Sequence, residues 1–341
     1  MQRHQFEFTG SGWEYFKIWI VNLLLTIVTL GIYSAWAKVR TNQYFYRNTS
    51  LAGASFDYHG KPLAILIGRV IIVAFYLVYA LTLQAEPMIA VGMLLLAMLF
   101  VPWLIQKSFK FKLHNSSYRG LRFKFAGSLG GAYKTFLLWP VLTPFTAYLL
   151  APFAHQRIKQ YQHSNSLFGQ TRFSFGQGAG GFYAVYGLTF LMILLIGLAT
   201  GDVIFAMAHA GLSGADPSSI MMIGGLIYLA IIFAMLFVAP FFSSRLQNLI
   251  WNGTRLGEHQ FQSAIQARQL LGLYITNFFG IIFTLGLFKP FASIRLLRYR
   301  LSCMSVLVAS DLDGFIADQS NEKVGALGEG ASDIFDFDIA L

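Results

Sequence analysis

The chain has 341 residues, of which 56% are hydrophobic, 16% aromatic and only 12% charged, with a positive mean hydropathy. A soluble domain carries about 25% charged residues, so a soluble globular class is excluded and a membrane protein is expected. The net charge of +10 divides into +17 over residues 1–310 and −7 over 311–341, where eight of the fifteen acids lie; a basic body beside apolar spans points to membrane lipids with anionic headgroups as partners, not to nucleic acid.

In chain order, the first predicted element is a short strand, Phe6-Glu-Phe8, closed by Gly10, and the first apolar block runs over about 16–36. The block ends on Trp36, with Arg40 one helical turn later, which is what a helix needs where it leaves lipid. The same exit recurs as Trp103 with Lys107, Phe153 with Arg157, Phe241 with Arg245 and Phe291 with Arg295, and the last four aromatics each follow a proline. Five exits predict five repeated units, about 6–50, 51–117, 118–167, 168–254 and 255–310. The first block also imitates a secretory signal. Its pattern from Thr29-Leu-Gly31 to Arg40, however, returns as Thr284-Leu-Gly286 to Arg295 at an offset of 255, and a cleavable signal would not be copied there.

After four of the exits comes Asn with Ser or Thr and then Gly: Asn48 to Gly53, Asn115 to Gly120, Asn165 to Gly169, Asn252 to Gly257. Such residues stop a helix and turn the chain, and their repetition favours turn chemistry over glycosylation. The alternating pairs Phe56/Tyr58, Phe123/Phe125 and Phe173/Phe175 then predict strands; the last copy keeps only Phe261. The first strand and Met304–Val308 each lack a partner, so their pairing would close the hairpin layer on one membrane face.

Apolar length predicts two helical hairpins that span the membrane, near 63–84 with 88–106 and near 182–201 with 219–242. The blocks near 16–36, 132–152 and 270–291 are shorter, and Gly31, Pro140, Pro144 and Gly286 are plausible breaks. If all three cross, the loop cations divide 14 to 7 between the two sides; if all three return, they divide 21 to 0. The positive-inside rule favours return and block length favours crossing, so both readings stay open. The expected fold is an all-α polytopic membrane protein built from internal repeats, with short juxtamembrane β-hairpins. Residues 1–310 form one transmembrane domain, followed by a flexible acidic tail over 311–341 that offers a protein partner a docking segment.

The residues that carry chemistry are sparse. Gly176–Gly181 lacks the Lys-Ser/Thr of a phosphate loop, His155 and His163 have no carboxylate nearby in sequence, and Cys303 is the single cysteine. No catalytic, cofactor or metal site is expected, and the chain does not read as an enzyme. Polar groups inside apolar blocks are the functional candidates: Asn22, Arg69 and Asn277 form a candidate polar pathway, and the exit cations are headgroup anchors.

The run Asn22 through Thr29-Leu-Gly31-Ile-Tyr33-Ser-Ala35-Trp36-Ala37-Lys-Val-Arg40, with Gly53, Phe56, Tyr58 and Gly60, resembles the signature of the bacterial YjgN family. The resemblance implies a polytopic inner-membrane protein of Gram-negative bacteria and leaves the mechanism open. Transport of a small or amphipathic solute is the leading expectation, since repeated halves and broken helices are the usual material of transporters. The alternative is a non-transporting envelope scaffold or lipid-organising protein.

Overall fold

In the computed structural model, residues 2–212 and 217–309 are described; the expectations for the acidic tail over 311–341 lie outside them. Ten strands are present: β1 (Gln2–Phe8), β2 (Thr49–Leu51), β3 (Ala54–Tyr58), β4 (Ser116–Tyr118), β5 (Leu121–Phe125), β6 (Ser166–Phe168), β7 (Thr171–Phe175), β8 (Thr254–Leu256), β9 (His259–Ser263) and β10 (Met304–Val308). They form one closed antiparallel barrel in which each strand pairs with its neighbours in sequence and β1 pairs with both β2 and β10.

This corrects the expectation of an all-α protein with short juxtamembrane β-hairpins. A lone hairpin leaves two unpaired edges, and here every edge is met by the strand on the far side of a helical excursion. The sequence signals for strands and turns were local, whereas the partners lie 40 to 80 residues away. The expected pairing of the terminal strands is present, with Gln5 opposite Ser305 and His4 opposite Val306.

Connections alternate around the barrel. At one rim, two-residue turns join β2 to β3 and β4 to β5, with Ala52 and Gly53 at φ 48° and 74° and Arg119 and Gly120 at 47° and 77°, the doubly left-handed turn that suits strand twist. At the other rim the chain leaves on helices and returns to the adjacent strand. The excursions are α1 (Gly12–Val28) with α2 (Ser34–Arg47); α3 (Pro62–Ala85) with α4 (Pro87–His114); α5 (Leu129–Tyr133), a π-helical turn, α6 (Trp139–Phe145) and α7 (Ala151–Ser164); α8 (Ala179–Leu212) with α9 (Pro217–Asn252); and α10 (Ala267–Phe283) with α11 (Lys289–Ser302).

One backbone hydrogen bond recurs where each excursion starts and ends: Thr9 N to Asn48 O at 3.0 Å, His59 to Asn115 at 2.8 Å, Ala126 to Asn165 at 2.8 Å, Gly176 to Gly253 at 2.9 Å and Ala264 to Cys303 at 3.0 Å. The Asn and Ser/Thr of the predicted turns act at this point. Asn48, Asn115 and Asn165 donate Nδ2, and Thr49, Ser116, Ser166 and Thr254 donate Oγ, each to the carbonyl four residues back in the departing helix. They satisfy carbonyls that a helix end otherwise leaves unpaired.

Inside the barrel, Leu51, Tyr118, Leu121, Phe168, Leu256, Val306 and Val308 are buried together, backed by Phe6, Phe56, Phe123, Phe173 and Phe261. The second aromatic of each strand pair instead packs at the rim onto helices: Phe8 with Tyr15 and Ile294, Tyr58 with Val39, Ile65 and Phe111, Phe125 with Ala132 and Tyr161, Phe175 with Phe182 and Ile250. Three of these rings pack against a glycine two residues on, where a Cβ at Gly10, Gly60 or Gly127 would meet the ring at 2.7, 2.6 or 2.5 Å.

Among the described residues, four helices are long and apolar enough to cross a membrane: Pro62–Ala85, Pro87–His114, Ala179–Leu198 and Gly224–Asn252. Only 11–17% of each apolar window is buried, so the rest of that surface must be covered by lipid. The protein is an integral membrane protein.

Candidate functional site

The exit helices begin at equivalent places. Ala35, Pro102, Pro152, Pro240 and Pro290 are all buried. Proline starts α7 and α11, where its missing N–H costs nothing, and lies inside the continuous α4 and α9. The exit pairs differ in detail. Arg157 lies over Phe153 at 4.7 Å and Arg245 over Phe241 at 5.6 Å, cation–π contacts worth about 0.5–1 kcal/mol when exposed. Trp36 stacks on Tyr33 while Arg40 is exposed; Trp103 and Lys107 are half-buried. Arg295 leaves Phe291, sits 6.0 Å over Phe288 and donates to Asn277 Oδ1 at 3.0 Å and Thr276 Oγ1 at 3.1 Å.

The three members of the expected polar pathway are not joined by any hydrogen bond. Asn277 is held by Arg295 and by the Ala292 carbonyl at 3.4 Å. Arg69, on α3, donates to the Ser34 hydroxyl of α2. Asn22 is 5% exposed and neither its oxygen nor its nitrogen has a partner. Asn22 and Asn277, each seven residues before a threonine, have different environments, because Arg295 reaches back to Asn277 and no such bond ties Arg40 to Asn22.

Several positioning residues escaped the sequence reading. Tyr44, Tyr161 and Tyr299 donate their hydroxyls to the carbonyls of Ser11, Ser128 and Gln266 at 2.9, 2.9 and 3.2 Å, tying the end of each short excursion to its start. The signal was a constant spacing of 33 residues. Between excursions, Gln106 donates to Gly127 O at 2.7 Å, Gln156 to Gln177 O at 3.0 Å and Asn248 to Ile265 O at 2.9 Å, and Arg298 joins the fifth excursion to the first at Gly10 O, 2.8 Å.

Burial, then the charges of Arg69 and Lys112, lower the Lys38 pKa; burial, then Lys112, lowers that of Lys159. Burial and the charge of Lys159 push His155 and His163 down to about 4. His155 Nδ1 meets Tyr186 Oη at 2.9 Å and His163 Nδ1 meets Thr254 Oγ1 at 3.1 Å.

Two proteins called Inner membrane protein YjgN, from Escherichia coli O157:H7 and from Escherichia coli strain K12, are each 32% identical over 140 residues, covering 41% of this chain and 35% of the relative. The protein of that name from Salmonella typhimurium is 31% identical over 148 residues, 43% of this chain and 38% of its own. The matched stretch thus spans little more than a third of the length of these relatives. No solved structure matches significantly. The family model described as bacterial protein of unknown function (DUF898) matches residues 3–334, nearly the whole sequence with its exits, turns and barrel strands, and the chain belongs to that family, the one its YjgN relatives represent.

Proposed function

We propose that this protein is a bacterial inner-membrane protein that organises anionic lipid around a ring of five copies of one unit, each a strand, a helical excursion and a returning strand. The observation that carries this reading is the alternation of long and short excursions hung from one barrel rim. The short ones end in turns whose apolar tips are bare: Leu30 is 94% exposed, Leu285 95% and Phe145 83%. A 17-residue helix such as α1 or α10 is about 25 Å long, short of a full crossing, and each short excursion returns to a strand bonded to the one it left. Tips of this kind are suited to the hydrocarbon of the nearer leaflet while α3, α4, α8 and α9 cross both, which would put all the exit cations at one headgroup layer, as the positive-inside rule favours. The names of the relatives support the inner membrane as the location.

Transport, the leading expectation from sequence, finds less support. A path along the barrel axis would have to pass the packed ring of Leu51, Tyr118, Phe168, Leu256 and Val306, and Asn22, Arg69 and Asn277 do not connect.

The test is lipid retention. Protein extracted from nanodiscs of phosphatidylethanolamine and phosphatidylglycerol should carry more of the anionic lipid in native mass spectrometry, and an Arg40→Gln, Arg157→Gln, Arg245→Gln variant should lose that preference. Equal retention of both lipids by the unaltered protein would rule the reading out.

A further inference from the structure

The outward face of the barrel divides by charge. Phe6, Phe56, Phe123 and Phe173 back the interior cluster, and side chains alternate along a strand, so the residues between them point away from the barrel. On β5, β7 and β8 these are Arg122 and Lys124, Arg172 and Ser174, and Arg255, every one exposed. Register sets them in rows: Lys124 lies opposite Leu167 and Leu167 opposite Arg172, while Ser174 in the next row lies opposite Arg255. No acid occurs on β5 to β8; Glu258 stands in the turn beyond Arg255. In the other direction around the barrel from β10, β1 to β3 turn Arg3, Glu7 and Asp57 outward, and Asp57 is paired with Arg47 at 2.9 Å.

Strand β10 ends between these two faces, at the rim of the two-residue turns, and Ala309 just beyond it bonds the β9 side through His259 Nδ1 at 3.3 Å. The sequence that follows holds Asp311, Asp313, Asp318 and Glu322 before its one cation, Lys323. We propose that this acidic segment, 311–322, docks on the outward face of β7 and β8 of its own chain, with Arg172 and Arg255 as anchors and Lys124 beyond them. Strand spacing puts β8 about 10 Å and β7 about 14 Å from β10. Extended chain from Ala309 brings Asp313 to about 14 Å and Asp318 to about 30 Å, so the acids reach both arginines. Single exposed ion pairs are weak, but the tether holds the acids at about millimolar effective concentration beside a face of opposite charge. Docked there, the segment screens the arginines from other polyanions. The proposal does not rest on the lipid-organising reading, which uses the exit helices at the opposite rim.

The experiment measures distances between spin labels on the full chain, in detergent and in a Cys303→Ser background. Ser320→Cys is paired with Ser174→Cys on β7 or with Ser55→Cys on β3, both exposed and both three strands from β10. At low ionic strength the β7 pair should give a short, narrow distribution and the β3 pair a long, broad one; in molar salt the two should become alike. Arg172→Gln, Arg255→Gln should reduce the short-distance population at least about threefold, as should Asp313→Asn, Asp318→Asn. Arg268→Gln, an exposed charge loss at the start of α10, should not. Equal distances to β3 and β7, or no loss in either double variant, overturns the docking. A short distance that arises only between singly labelled chains when mixed makes the occupant a second copy, and one that disappears when phosphatidylglycerol nanodiscs replace detergent gives the face to lipid headgroups; either result also overturns it.

Discussion

At the scale of single residues, the glycines after the rim aromatics are under the tightest constraint. Gly127 would bring a Cβ within 2.5 Å of the Phe125 ring and 2.6 Å of the Tyr161 hydroxyl, whereas Gly130, inside α5, has nothing within 4 Å. Gly127→Ala should therefore cost about 1–3 kcal/mol and Gly130→Ala should gain about 0.5–1 kcal/mol; thermal unfolding of the two variants, run side by side, checks the sign of each. The buried histidines make a pH prediction. His155 and His163 are held near 4 in the folded protein against 6.5 in the unfolded chain, so between those values the unfolded state binds more protons. Their contribution is complete above about 6.5 and is lost as pH falls towards 4. Between pH 7 and pH 5 the unfolding temperature should drop more for the unaltered protein than for a His155→Gln, His163→Gln variant; parallel slopes would contradict it.

At the scale of elements, the long helices were legible because an apolar run of 20 residues announces itself locally: the predicted spans near 63–84 and 88–106 match α3 and the apolar part of α4. The barrel was not, because β3 and β4 pair across 57 residues of helix and turn and nothing in either strand names its partner. The candidate site was legible as residue types only. Asn22 and Asn277 look identical in sequence, and their difference depends on where Arg40 and Arg295 point. The braces of the short excursions were hidden in spacing, and they are testable. Tyr44 and Tyr161 have pKa values pushed up to about 12, mainly by burial, so both stay hydroxyl donors at any working pH. Phe111 and Leu249 occupy the equivalent places in the long excursions. Tyr161→Phe should thus keep the packing and lose the bond to Ser128, costing about 1 kcal/mol and speeding hydrogen exchange at the start of α5 while α3 and α4 exchange as before.

At the scale of the whole molecule, the register of the seam is the sharpest check on the closed barrel. In a Cys303→Ser background, cysteines at Gln5 and Ser305, which face each other, should cross-link within a monomer. Glu7 with Ser305 should not, because Glu7 stands opposite Ser50 instead. Topology has its own test: cysteines at Gln43, Gln162 and Ser263 should all react from one side of the membrane, and labelling of Gln162 or Ser263 only from the side opposite Gln43 would establish that the short blocks cross.

The seam between β1 and β10 also sets the order of events during synthesis. Arg3 and Ser305, whose side chains bond at 3.1 Å, lie 302 residues apart in sequence. The first strand leaves the ribosome with one future neighbour some 300 residues behind it, so its outer edge must wait, unpaired, while the intervening helices insert. Such long-range pairing is slow and exposes an edge to other chains. A nascent chain stalled before residue 304 would hold nine strands in an open sheet, ready to pair with the β1 of a neighbour, and failure of this protein in cells would then appear as strand-exchanged oligomers.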